Sequence, residues 1–93
     1  MIVLKVIDKN GKAVHLSNER WSHIRKYHAD VESFEEIEET LKNPDNVFDD
    51  EREEVTIFYK FFKYKKQKSK FLRVVVKYLN GSGFVMSAYL SGI

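Results

Sequence analysis

Hydrophobic and polar positions change their period several times along this chain, and each change marks an element. Ile2 to Ile7 is an apolar-rich run, interrupted by Asp8-Lys9-Asn10-Gly11-Lys12 and resumed from Ala13 to Leu16. Asn-Gly between two such runs predicts a β-hairpin. Ser17 can then cap a helix over 18–28, in which Trp21, Ile24 and His28 recur at i, i+3 and i+7. Ser33-Phe34-Glu35-Glu36 reads as a capping box that opens a second helix. Its apolar stripe is Phe34, Ile37 and Leu41, Glu35 to Glu39 lie mostly outward, and Asn43-Pro44-Asp45 stops it.

From Val47 the pattern becomes strand-like. Val55 to Phe62 is β-branched and aromatic, Lys63 to Lys70 is a basic connector, and Phe71 to Tyr78 has a Val-Val-Val centre. Asn80-Gly81-Ser82-Gly83 makes a turn, and Phe84 to Leu90 forms the last strand. With no βαβ alternation, the expected class is α+β. Two N-terminal helices pack on one face of a twisted, mainly antiparallel sheet, in the order β-β-α-α-β-β-β-β. A chain of 93 residues predicts a single domain over 1–93.

Period two sorts the strand residues into faces. Leu72, Val74, Val76 and Tyr78 share one face, and Phe71, Arg73, Val75 and Lys77 the other. In the last strand, Phe84, Met86, Ala88 and Leu90 are expected to face the helices, opposite Val85, Ser87 and Tyr89. The outer face then presents Arg73, Lys77, Ser87 and Tyr89 together, two cations and two hydroxyls suited to a phosphate.

Composition removes several chemistries. The chain has no Cys, which excludes disulfides, thiolate metal sites and thiol nucleophiles. No apolar run approaches the roughly 20 residues of a membrane helix, so no membrane partner and a cytoplasmic location are expected. The net charge of +2 conceals a partition. Residues 1–29 carry six Lys/Arg against two Asp/Glu, 30–54 carry two against twelve, and 55–93 carry eight against none. A stretch of 39 residues without Asp or Glu is a candidate surface for a polyanion.

The helical histidines add chemistry to that surface. Histidine titrates near neutrality and can take and return a proton at working pH. His28 falls on the apolar arc, flanked by Arg20 and Tyr27, while His23 sits at its edge and is expected to be partly exposed. Being five apart, His23 and His28 point about 140° from each other, which is poor for joint metal ligation. His15, at a strand end, reads as structural. Neither metal nor cofactor is expected.

Leu16-Ser17-Asn18-Glu19-Arg20-Trp21-Ser22-His23-Ile24, with His28 closing the helix, resembles the L-S/T…H-I-x-x-x-H signature of the phage-type barnase–EndoU–colicin–RelE-like (BECR fold) nucleases. Leu41-Lys42-Asn43-Pro44-Asp45, Leu72 to Lys77 and Ser87-Ala88-Tyr89 are similar to that family's later segments, so the likeness runs in order over about residues 13–90. Tyr27 and Ala29 stand where members usually carry Arg and Pro. The resemblance implies a small metal-independent ribonuclease of toxin or phage context, in which the RNA 2′-OH attacks the adjacent phosphate. It implies catalytic roles for His23, His28, Arg73, Ser87 and Tyr89, with Arg20, Tyr59, Lys60 and Lys77 expected to bind substrate. RNA is the implied partner, with a protein inhibitor or antitoxin as a further one.

Two other readings stand beside it. Lys60, Lys63, Lys65, Lys66, Lys68 and Lys70, interleaved with Phe58, Tyr59, Phe61, Phe62 and Tyr64, would suit a non-catalytic nucleic-acid-binding module. The acidic segment 30–54 would suit an interaction protein that pairs with a cationic partner or with a second copy.

Overall fold

In the computed structural model, which describes residues 1–63 and 71–92, the chain runs β1 (Ile2–Ile7), β2 (Ala13–Ser17), α1 (Asn18–Tyr27), α2 (Phe34–Lys42), β3 (Asn46–Asp50), β4 (Val55–Phe61), β5 (Phe71–Leu79) and β6 (Ser82–Ser91). The fold is α+β, with two helices and a six-stranded mixed sheet ordered β1-β2-β6-β5-β4-β3. Every neighbouring pair is antiparallel except β2 and β6, which run parallel. No helix among the described residues is long and apolar enough to cross a membrane.

Local chemistry sets the element ends. Both hairpin signals are used: Gly11 lies at φ +84° in the β1–β2 turn, and Asn80 and Gly81 take φ 54° and 84° between β5 and β6. Two consecutive positive φ angles make the type I′ turn that matches strand twist, and Asn-Gly adopts it most readily. The Ser17 side chain caps α1 by accepting from the Arg20 N–H at 3.1 Å. Ser33 caps α2 by accepting from the Glu35 N–H at 3.1 Å. The expected box partner, Glu36, reaches back one residue further and accepts from the Glu32 N–H at 3.0 Å. That turn of the side chain buries Glu36 to 8% exposure, so the expectation that Glu35 to Glu39 lie mostly outward fails at Glu36.

The core lies between the helices and one sheet face. Val6, Val14, Leu16, Phe58, Leu72, Val74, Val76, Val85 and Ala88 supply the sheet side, and Ile24, Val31, Ile37 and Leu41 the helical side. Trp21 meets Phe34 edge-on at 5.8 Å, joining the two helices.

The last strand departs from the expected alternation. Its register with β5 slips between Val75 and Val76: Val75 pairs with Ser87 and Val76 with Val85, leaving Met86 as an extra residue. A bulge shifts phase by one, so side chains before and after it exchange faces. Phe84 therefore pairs with Lys77 on the outer face, and the buried positions are Gly83, Val85 and Ala88. The expectation that Phe84 and Met86 join Ala88 and Leu90 against the helices is thus corrected by one residue's slip. Ser87 and Tyr89, beyond the bulge, stay on the face assigned to them.

Candidate phosphate-binding site on the open sheet face

The site forms where β4, β5 and β6 expose the side chains that point away from the core. Tyr59 pairs with Arg73, and Arg73 with Tyr89, so the three stand in one rung across three strands. Directly opposed residues project to the same face. The Arg73 guanidinium carbon lies 5.1 Å from the Tyr59 ring centroid and 5.2 Å from that of Tyr89. Its Nε is buried and has no hydrogen-bond partner among the described residues. Two aromatic rings thus immobilise a cation, and one of its N–H donors is left without an acceptor. A buried donor in that state costs about 1–3 kcal/mol, which an anionic oxygen would relieve.

An imidazole joins the rung from the helical layer. β2 pairs with β6 only at Gly83 and Phe84, and α1 packs against β6. The end of that helix brings His28 to Tyr89, ring centroids 5.6 Å apart. His28 is the C-cap of α1, its N–H donating to the Ile24 carbonyl at 2.7 Å and its own carbonyl accepting from Val31 at 3.0 Å. Arg25 fixes the following turn by donating from Nη1 to the carbonyls of Ala29 and Val31, both at 2.6 Å.

The remaining expected residues divide. Ser87 lies two residues from Tyr89 on the same face, opposite Val75. Lys77 shares that face further along β5, between Val55 and Phe84. His23 does not enter the cluster: it is exposed and stacks on Tyr27 at 4.7 Å. Arg20 is exposed in the first turn of α1. Lys60 is on the other side of the sheet, paired with Leu72, where its Nζ donates to the Asn43 carbonyl at 2.8 Å and lies 3.7 Å from the Glu39 carboxylate. Lys60 is thus placed apart from the Arg73 cluster. His15 is half-buried on the outer face, 6.2 Å from the Phe84 ring. Of the proposed basic patch, Tyr64, Lys65, Lys66, Lys68 and Lys70 lie outside the described residues.

Comparison with protein-family models, with curated proteins and with solved structures finds no match. The site is therefore characterised by its own geometry.

Asp45 is a contributor that sequence reading missed. Its N–H donates to the Tyr59 carbonyl at 2.7 Å, and its carboxylate accepts from the Phe61 N–H at 2.7 Å. β3 first pairs at Asn46, so Asp45 continues the pairing with a side chain and holds this end of β4 in place. The Asn43-Pro44-Asp45 stop signal thus has a second use at the site. On the helical side, a cavity of about 320 Å³ is lined by Ser33, Glu35, Glu36, Glu39 and Phe62. Its carboxylates make it unsuited to a polyanion, whereas the Arg73 face is suited to one.

Proposed function

We propose that this protein is a small metal-independent ribonuclease whose phosphate-binding centre is Arg73, held between Tyr59 and Tyr89 beside His28. The observation that carries the proposal is the stacked guanidinium, whose buried Nε has no partner among the described residues, one ring away from an imidazole. The motif resemblance carried by Leu16 to Ile24 with His28, Leu41 to Asp45, Leu72 to Lys77 and Ser87 to Tyr89 points to the same reading, and the BECR fold is part of the proposal.

In this mechanism the RNA 2′-OH attacks the adjacent phosphorus and the bond to the 5′-oxygen breaks, leaving a 2′,3′-cyclic phosphate and a 5′-OH. His28 takes the 2′-OH proton. The departing 5′-oxygen receives a proton from the Tyr89 hydroxyl, and solvent then carries the proton of the His28 imidazolium back to the Tyr89 phenolate. Arg73 and Lys77 stabilise the charge that develops on the equatorial oxygens, and Ser87 orients them. The pair of histidines that the resemblance implies is reduced to one, since His23 stacks on Tyr27.

The test is cleavage of a fluorogenic RNA in EDTA. Wild type should cleave with the chelator present, and His28→Ala should lose about 100-fold or more. Equal background rates for the two proteins would sink the catalytic assignment. The single imidazole in the cluster favours one alternative, a binding module without catalysis. RNA binding with a steep salt dependence and no cleavage would select it.

A further inference from the structure

Beside the Tyr59–Arg73–Tyr89 rung stands a second one. Phe61 pairs with Phe71, and Phe71 with Ser91, on the same open face. The two phenyl rings lie 5.2 Å apart, and Phe61 is 43% exposed. Successive same-face positions on a strand are about 6.8 Å apart, so the aromatic pair is one short step from the guanidinium. The rung on the other side of Arg73 is different: Ile57, Val75 and Ser87 offer no aromatic surface.

From this asymmetry we infer that the Phe61–Phe71 rung is a base-stacking subsite, and that the ligand of this face is single-stranded RNA with one base flanking the Arg73-bound phosphate. The inference rests on the reading of Arg73 as a phosphate site. An exposed aromatic face stacks on any nucleobase and gains contact area that water cannot supply. In a duplex the base faces are already covered by their neighbours, so only an unpaired base can use the subsite. Ser91 completes the rung with a hydroxyl that can bond to a base edge or sugar. Because the aromatic pair lies on one side only, a single base is held on one flank of the phosphate, which gives the bound strand a direction. Asp45, bonded to Tyr59 and Phe61 together, keeps the two rungs of β4 at fixed spacing.

The experiment uses a fluorescein-labelled 2′-O-methyl hexanucleotide, which has no free 2′-OH and cannot be cleaved by the proposed mechanism. Fluorescence polarisation compares it with the same strand annealed to its complement, for the full-length wild type, Phe61→Leu and Phe71→Leu. The single strand should bind at least about 10-fold more tightly than the duplex, and each Leu variant should lose about 5- to 100-fold of single-strand affinity while its duplex affinity stays unchanged. An abasic position opposite the subsite should produce the same loss in wild type and no further loss in Phe61→Leu. Equal binding of the two forms, or undiminished affinity in both Leu variants, would overturn the inference. A protein that shows the stacking signature but leaves ordinary RNA intact would keep this subsite and lose the ribonuclease reading.

Discussion

Replacing Arg73 by Met separates a functional arginine from a structural one. Met keeps most of the length and apolar stem of the side chain and removes its charge and donors. The loss to folding is the stacking of the guanidinium on two rings, at 5.1 and 5.2 Å. At roughly 0.5–1 kcal/mol for each such contact, the loss comes to about 1–2 kcal/mol. Against it stands the removal of a buried Nε with no partner among the described residues, which relieves about 1–3 kcal/mol. The two terms nearly cancel, so Arg73→Met should unfold in urea within about 1 kcal/mol of wild type, or slightly above it. Its affinity for RNA should nevertheless fall at least about tenfold, since a charge-assisted contact contributes about 1.5–3 kcal/mol. Urea denaturation followed by Trp21 fluorescence gives the first quantity, and polarisation of a labelled RNA the second. Destabilisation beyond about 2 kcal/mol, or unchanged RNA affinity, would refute the reasoning: Arg73 would then be a brace between two tyrosines.

Two further outcomes test the frame around the site. Tyr78 donates its hydroxyl to the buried Asp8 carboxylate, which also accepts from the N–H groups of Asn10 and Lys12 at 2.9 and 3.0 Å. Burial first, and Asp8 next, push the Tyr78 phenol well above its ordinary value of 10.0. A raised folded-state value stabilises the protein below the unfolded one, so stability should be constant to about pH 9 and decline above pH 10. Tyr78→Phe should cost about 1.5–3 kcal/mol at neutral pH and flatten that alkaline decline, as read by urea titrations at several pH values. At Gly83, an added Cβ would meet the Tyr78 ring at 2.8 Å and a Val76 methyl at 2.9 Å. Gly83→Ala should therefore lower the urea midpoint by an amount equivalent to about 1–3 kcal/mol, and a neutral result would show that the Tyr78 ring can swing away.

Much of this architecture is visible in the sequence because it is written in local terms. Ser17, Ser33 and the two Asn-Gly pairs each act on their own few residues, and the structure uses them where they stand. The face carrying Arg73 and Lys77 is likewise a consequence of period two within one strand. What sequence reading missed depends on partners distant in the chain. The bulge at Met86 has no local signature, because Met fits either face of a strand. Glu36 turns inward and Lys60 toward α2, although both belong to residue types that ordinarily stay in solvent. The Tyr78–Asp8 bond joins residues 70 apart, and neither residue type announces the other. His23 and His28 are instructive: helical geometry says they diverge, the resemblance pairs them, and the structure follows the geometry.

The slip at Met86 lets the outer face tolerate a change in the length of β6. A strand that alternates without interruption could satisfy the helices or present Ser87 and Tyr89 to solvent, but with Gly83 and Val85 also buried it could not do both. The bulge reconciles the two demands by leaving Met86 out of the ladder. Without Met86, Val85 would directly precede Ser87, and a regular ladder against Val76 and Val75 would keep Val85 inward and Tyr89 outward. Deletion of Met86 should accordingly leave the Arg73 face and the core side of β6 as they stand, as substitutions at that position should.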